Sequence, residues 1–227
     1  MNVALDEPTA ELIWGWYFTV DLPASFRIAT TGIEQMPVLS SPRPVRPHRL
    51  EVFTNWKSAL NSDGVVLHFY VDDSRIRTAV TNPLNWSYAL SRADAVISPD
   101  MSLYAQFPPH LRRYNTNCNR LAAAAWQRLG INVITNVRWN DQSDYAYCFD
   151  GVPRNCQVAV SSVSMMRSPK DRGNLVHGYQ EMRERLAPTS MIWYGAIPTE
   201  LPPSAADKVE IIQVRSRAAE AFAKAEF

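Results

Sequence analysis

The stretch Val65-Val66-Leu67-His68-Phe69-Tyr70-Val71-Asp72-Asp73 decides the reading of this chain. Seven residues, apolar but for His68, do not alternate with polar ones. A half-exposed strand is therefore ruled out, and a strand covered on both faces is indicated, the signature of a parallel sheet. The theme recurs at Ala95 to Ser98, Asn132 to Val137, Val158 to Val163, Met191 to Tyr194 and Val209 to Val214. The aromatic segment near Phe18 is the candidate for a seventh strand.

Helical spacing fills the gaps. Over His110 to Leu129, the residues Leu111, Tyr114, Cys118, Leu121, Ala122, Ala125 and Leu129 share one face. Arg112, Arg113, Thr116, Arg120 and Arg128 fall mostly on the other, and Gly130 supplies a stop. Leu175, Tyr179, Met182 and Leu186 form a second stripe over Asn174 to Leu186, ended by Pro188. A third helix is expected between Pro83 and Arg92, and only two short turns over Ser143 to Phe149.

Repeated β-α units of this kind close in two common ways, and the fold expected is α/β with a mainly parallel sheet. The preferred closure is a small or incomplete TIM-like barrel, and the alternative is an open doubly wound sheet. No GxGxxG or GxxxxGK[ST] follows any strand, which weakens the nucleotide-binding open sheet. At 227 residues the chain supports one substantial core. Residues 1–49 read as an arm ending in a strap where Pro42, Pro44 and Pro47 alternate with Arg43, Arg46 and Arg49, residues 50–215 as the α/β domain, and 216–227 as a helical tail. The strap arginines are either phosphate contacts or a solvated surface.

Lys+Arg 23 against Asp+Glu 22 gives +1, so no overall attraction to nucleic acid or to an anionic membrane follows. Cys118, Cys148 and Cys156 form no CxxC pair and are expected to be reduced, packed and inert, which with the lack of a leader or spanning stretch makes a cytoplasmic location and no membrane partner the expectation. The four histidines form no metal motif, and His68 reads as a core residue.

In either closure the working face lies at the carboxyl ends of the strands. There the sequence places Asp72-Asp73, Asp100, Arg138-Trp139-Asn140-Asp141, Ser161-Ser162 and Tyr194. Asp73, Asp100 and Asp141 are the candidate acid and base groups. With Asp72 they are the candidate oxygen ligands of a hard divalent ion, Mg²⁺ or Mn²⁺. Arg138 is the candidate anion clamp and Trp139 the stacking surface, and Asn140, Ser161 and Tyr194 complete the substrate-binding set. Each Asp has a bland reading too, as the N-cap of the next helix.

The series FYVDD at 69–73, SPDMSLY at 98–104, VRWND at 137–141, CFDGVP at 148–153, VAVSSV at 158–163 and YGAIP at 194–198 resembles an uncharacterised bacterial and phage family, the domain of unknown function 4417. The likeness runs from about Gly32 to Leu201. It implies a phage or mobile-element context and supplies no activity. Two readings stay open. One is an enzyme using rim carboxylates on a phosphate-bearing nucleotide or nucleic-acid end. The other is a non-catalytic binding or interaction module of a mobile element.

Overall fold

The computed structural model describes residues 19–61, 63–201 and 209–216. Seven parallel strands form one sheet: β1 (Arg49–Val52), β2 (Val65–His68), β3 (Ala95–Ile97), β4 (Val133–Asn136), β5 (Gln157–Ser161), β6 (Ser190–Tyr194) and β7 (Glu210–Val214). Their order across the sheet is their order along the chain. Every crossover therefore steps the same way, and no reversal of strand order exists, which is what a doubly wound sheet requires. Among the described residues the sheet curls into a half-barrel without closing, since β1 and β7 pair there only with their inner neighbours.

Side-chain alternation sorts the two faces. Val65, Leu67, Val96, Val133, Val158, Val160, Met191 and Trp193 point outward into two large apolar clusters shared with the helices. Val66, Ala95, Ile97, Ile134, Ala159 and Ile192 form a smaller cluster on the concave face, where no helix contributes. The helices are α1 (Asp73–Thr81), α2 (Pro109–Arg128) and α3 (Pro169–Leu186), with short helical turns at Pro83–Trp86, Ser87–Leu90 and Gln142–Ala146. Ser168 starts α3 by accepting from the Asp171 N–H at 3.1 Å, just before Pro169.

Three expectations gain detail from the structure. The seventh strand is Arg49–Val52, at the edge of the sheet, and the segment near Phe18 lies outside the described residues, as do residues 217–227 of the expected helical tail. On α2 the expected apolar stripe is buried at Leu111, Cys118, Ala122 and Ala125, but the opposite side is buried too at Arg112, Thr116 and Arg120, while Leu121 is only half-buried and Leu129 is 46% exposed. The reason is that two loops cover the polar side of α2. Asn115 Nδ2 donates to Ser102 O, Asn119 Oδ1 accepts from Met101 N–H, and Arg120 donates to the carbonyls of Cys148 and Asp150, both at 2.7 Å. Third, the strap packs on the main domain, at the bottom of the half-barrel. Gln127, Asn132 and Gln157 each pair with both the N–H and the C=O of one strap residue, namely Ser40, Arg43 and Val45.

That contact lies at the amino ends of the strands, because Gln157 opens β5 and Asn132 immediately precedes β4. Arg46 pairs with Glu210 and Arg49 with Glu51, which supports the surface reading of the strap arginines. Between the edge strands a cleft of about 470 Å³ is lined by β1 on one side and β7 on the other. The three cysteines are free and buried; burial pushes the Cys118 thiol up to about 12 and raises the other two as well. Among the described residues no helix is long and apolar enough to cross a membrane.

Candidate functional site

A cavity of about 240 Å³ opens at the carboxyl ends of β2 to β5. Its walls are Tyr70 and Asp72 after β2, Asp100, Ser102 and Tyr104 after β3, Arg138 after β4, Ser161 at the end of β5, and Ser164 and Arg167 after it. The alternation that sorts the strands explains the choice. Ile134 and Asn136 face the concave side, so Arg138 follows them there. Val133 and Val137 face the helices, so Trp139 follows them instead.

The floor of the cavity is a hydrogen-bonded chain. Tyr70 Oη donates to Asn136 Oδ1 at 3.0 Å, Asn136 Nδ2 donates to Asp100 Oδ1 at 2.7 Å, and Arg138 Nη1 donates to Asp100 Oδ2 at 2.6 Å. Ser98 Oγ accepts from the Asn136 N–H and fixes its backbone. Behind the floor, the rings of Tyr70 and Tyr194 stack at 4.7 Å and His68 packs 5.0 Å from Tyr194. His68 Nδ1 accepts from the Tyr70 N–H at 3.1 Å, so this buried histidine is a satisfied part of the core. Burial raises the Asp100 carboxyl above its ordinary range, against the opposing pull of Arg138 and Asn136.

At the mouth, the charges are less engaged. Asp72 is exposed, sits at the N-cap position of α1 without making a cap hydrogen bond, and has no ion-pair partner among the described residues. Arg167 is exposed and likewise has no partner among them. Ser164 holds φ of 74°, an uncommon left-handed conformation for a serine, in the loop that carries Arg167 to the cavity. The Tyr104 ring is 39% exposed at the same mouth.

Asp73 is the exception among the acids nearby. It is buried behind the wall, where it accepts from the Ser102 N–H with both oxygens at 3.2 Å and from Ser102 Oγ at 3.0 Å. Burial pushes its carboxyl up to about 6, although the Ser102 hydrogen bonds pull the other way. A carboxyl whose folded pKa exceeds its unfolded one near 3.9 favours folding when protonated, so its contribution is full below about 4 and is lost as pH rises through about 6. Asp73→Asn keeps an acceptor for Ser102 and removes the titration. It should therefore be more stable than the parent at pH 8, on the order of 1 to 3 kcal/mol, and about equal to it at pH 4. Denaturant melts at the two pH values measure this; a pH-independent difference would show that Asp73 does not titrate in this range.

The four aspartates do not form the ligand set expected of them. Among the described residues no group of three His, Cys, Asp or Glu side chains could hold a metal ion. Asp73 is spent on Ser102 and Asp100 on Asn136 and Arg138. Asp141 belongs to a separate cluster, where its Oδ1 accepts from the Ser143 N–H at 2.9 Å and its Oδ2 from Arg112 Nη1 at 3.2 Å. Burial works to raise the Asp141 carboxyl, but the Ser143 hydrogen bonds and Arg112 outweigh it and hold it low. Its N-cap role is the bland reading, realised on the turn Gln142–Ala146.

Asn140 joins that cluster, donating its N–H to Asp144 Oδ2 and its Nδ2 to Asp141 Oδ2. Trp139 is buried, donates Nε1 to Asn174 O at 3.0 Å and lies flush against Gly178, where any Cβ would collide with it. It presents no stacking surface to the cavity. Of the expected residues, Asp72, Asp100, Arg138 and Ser161 share the cavity, and Tyr194 stands behind it on Tyr70. Tyr70, Ser102, Tyr104, Ser164 and Arg167 were not anticipated. Tyr70 was within reach of the strand alternation, whereas Arg167, six residues beyond Ser161, carries no periodic signal.

The sequence profile of a family described as "Domain of unknown function (DUF4417)" matches residues 29–214. The chain is 32% identical to the "Gene 1 protein" of Mycobacterium phage L5 over 135 residues, 60% of this chain and 59% of that protein. It is 31% identical to the "Gene 1 protein" of Mycobacterium phage D29 over 134 residues, 59% of this chain and 50% of that protein. The match thus spans between half and three fifths of these relatives' length. No solved structure matches.

Proposed function

The chain belongs to the DUF4417 family, and from the cavity at its strand ends we propose that it binds a phosphate-bearing ligand, a nucleotide or a nucleic-acid end, in a phage-related setting. The observation that carries this reading is the pair Arg138 and Arg167 on one cavity, with Arg167 left without a protein partner among the described residues. A guanidinium offers forked donors suited to phosphate oxygens, and Arg167, unlike Arg138 with its Asp100 partner, has no carboxylate among the described residues to compete for them. Asp100 is the group placed to move a proton there, with a carboxyl that burial raises above its ordinary range. A second reading, binding without turnover, is supported by the engagement of both Asp100 oxygens.

Calorimetric titration with inorganic phosphate and pyrophosphate tests the binding. Arg167→Ala, an exposed and unpartnered position, should weaken pyrophosphate about tenfold or more while the melting temperature holds. Equal affinity in the parent and the variant would remove the cavity from consideration as an anion site. Product analysis of a bound nucleotide then separates the two readings, since turnover lost in Asp100→Asn supports the enzyme and an unaltered ligand supports the module.

A further inference from the structure

We infer that the ligand is a ribonucleoside phosphate whose sugar hydroxyls are read by Asp72. This rests on the phosphate reading above and adds the part of the ligand that the two arginines do not address. Three observations point to it. First, the cavity holds charges of both signs: Asp100 and Arg138 neutralise each other at 2.6 Å, which leaves Arg167 and Asp72 as the pair without an ion-pair partner among the described residues. A purely anionic ligand would satisfy Arg167 and leave Asp72 repelled. The better fit is a ligand with an anion at one end and hydrogen-bond donors at the other.

Second, Asp72 has no structural task that would account for its carboxylate. It occupies the N-cap position of α1 without accepting a cap hydrogen bond. A carboxylate with two free oxygens accepts from the two neighbouring hydroxyls of a ribose, the chemistry by which an acidic side chain reads that sugar at the strand ends of other α/β folds. Third, about 240 Å³ is below the roughly 300–1,000 Å³ of sites that enclose a whole drug-sized ligand. Phosphate and sugar go inside, and the base stays at the mouth, beside the Tyr104 ring, which is 39% exposed and packs in a T-shaped contact with Phe107.

Titrations of the full chain with inorganic phosphate, with the four 5′-ribonucleoside monophosphates and with their 2′-deoxy counterparts test this. The ribonucleotides should bind more tightly than phosphate alone, and about tenfold more tightly than the deoxy forms, since one hydrogen bond to an exposed charged acceptor is lost. Asp72→Asn should collapse that ribo-to-deoxy ratio toward one. The same variant should bind inorganic phosphate at least as tightly as the parent, because a negative charge has left the cavity. Asn is as good an N-cap residue as Asp, so folding is not at risk. Phosphate binding with no preference for ribose in the parent overturns the sugar assignment alone. Failure of every phosphate compound to bind overturns the anion site with it. A preference that persists in Asp72→Asn places the sugar elsewhere and overturns the role given to Asp72.

Discussion

Replacing Arg120 with Ala should cost about 3 to 5 kcal/mol of stability and lower the melting temperature by roughly 10 °C or more. Arg120 is 2% exposed, and its two terminal nitrogens donate at 2.7 Å to the carbonyls of Cys148 and Asp150. Burial lowers its pKa to about 10, still far above neutrality, so the side chain enters the protein charged. Deleting it leaves two carbonyls without their donor and opens a void along α2. The covering loop also holds the amino-terminal region, since Leu39 N–H donates to Gly151 O. Arg120→Lys should recover only part of the loss, because one ammonium cannot reproduce a planar fork. An unchanged thermal melt in Arg120→Ala would mean that water replaces the guanidinium at no cost.

The second large effect is expected at the floor of the cavity. Arg138→Ala strands the Asp100 carboxylate, 8% exposed, without its cation, and breaking a buried pair in this way costs about 3 to 5 kcal/mol. The penalty should depend on pH. Burial already raises the Asp100 carboxyl, and loss of Arg138 raises it further. The variant therefore regains stability as falling pH protonates Asp100, and the deficit is largest above that folded pKa. Combining Arg138→Ala with Asp100→Asn should recover much of the loss at pH 8, giving a double-mutant cycle with a strong coupling term. Denaturant titrations of the four proteins at pH 5 and pH 8 provide the numbers, and additive losses with no pH dependence would show that the pair is not coupled.

The parallel sheet was readable because five strands, β2 to β6, are buried on both faces, a pattern that exposed or helical segments do not produce. Arg49–Val52 was not, since an edge strand with Arg49 and Glu51 toward solvent looks like the end of the strap that precedes it. For α2 the period and the buried apolar face were legible, and the burial of the opposite face was not. Arginines are placed on the solvent side by composition alone, and only the loops lying over them show that Arg112 and Arg120 serve as buried donors. The rim itself was legible from the strand ends, yet the rim is wider than the site. Alternation carried two residues past β4 separates Arg138 from Trp139, and that rule was available in the sequence. No such rule distinguishes Asp100 from Asp141, because the direction of a side chain in an irregular turn is set by partners such as Ser143 and Arg112 that are distant or local in ways no period encodes.

The strap has a consequence for how this sequence can drift. Gln127, Asn132 and Gln157 grip peptide groups, and none of these six hydrogen bonds touches a strap side chain. The prolines at 42, 44 and 47 fall at positions whose missing N–H is not called upon there. Selection acting through this contact therefore sees spacing more than identity. Arg43 can be exchanged for almost any residue that accepts an extended backbone, while the insertion or deletion of one residue between Ser40 and Val45 would put at least one of the three gripped residues out of step with its amide. Among relatives, this face should diverge in letters and stay fixed in length, and the three amides should change together or not at all.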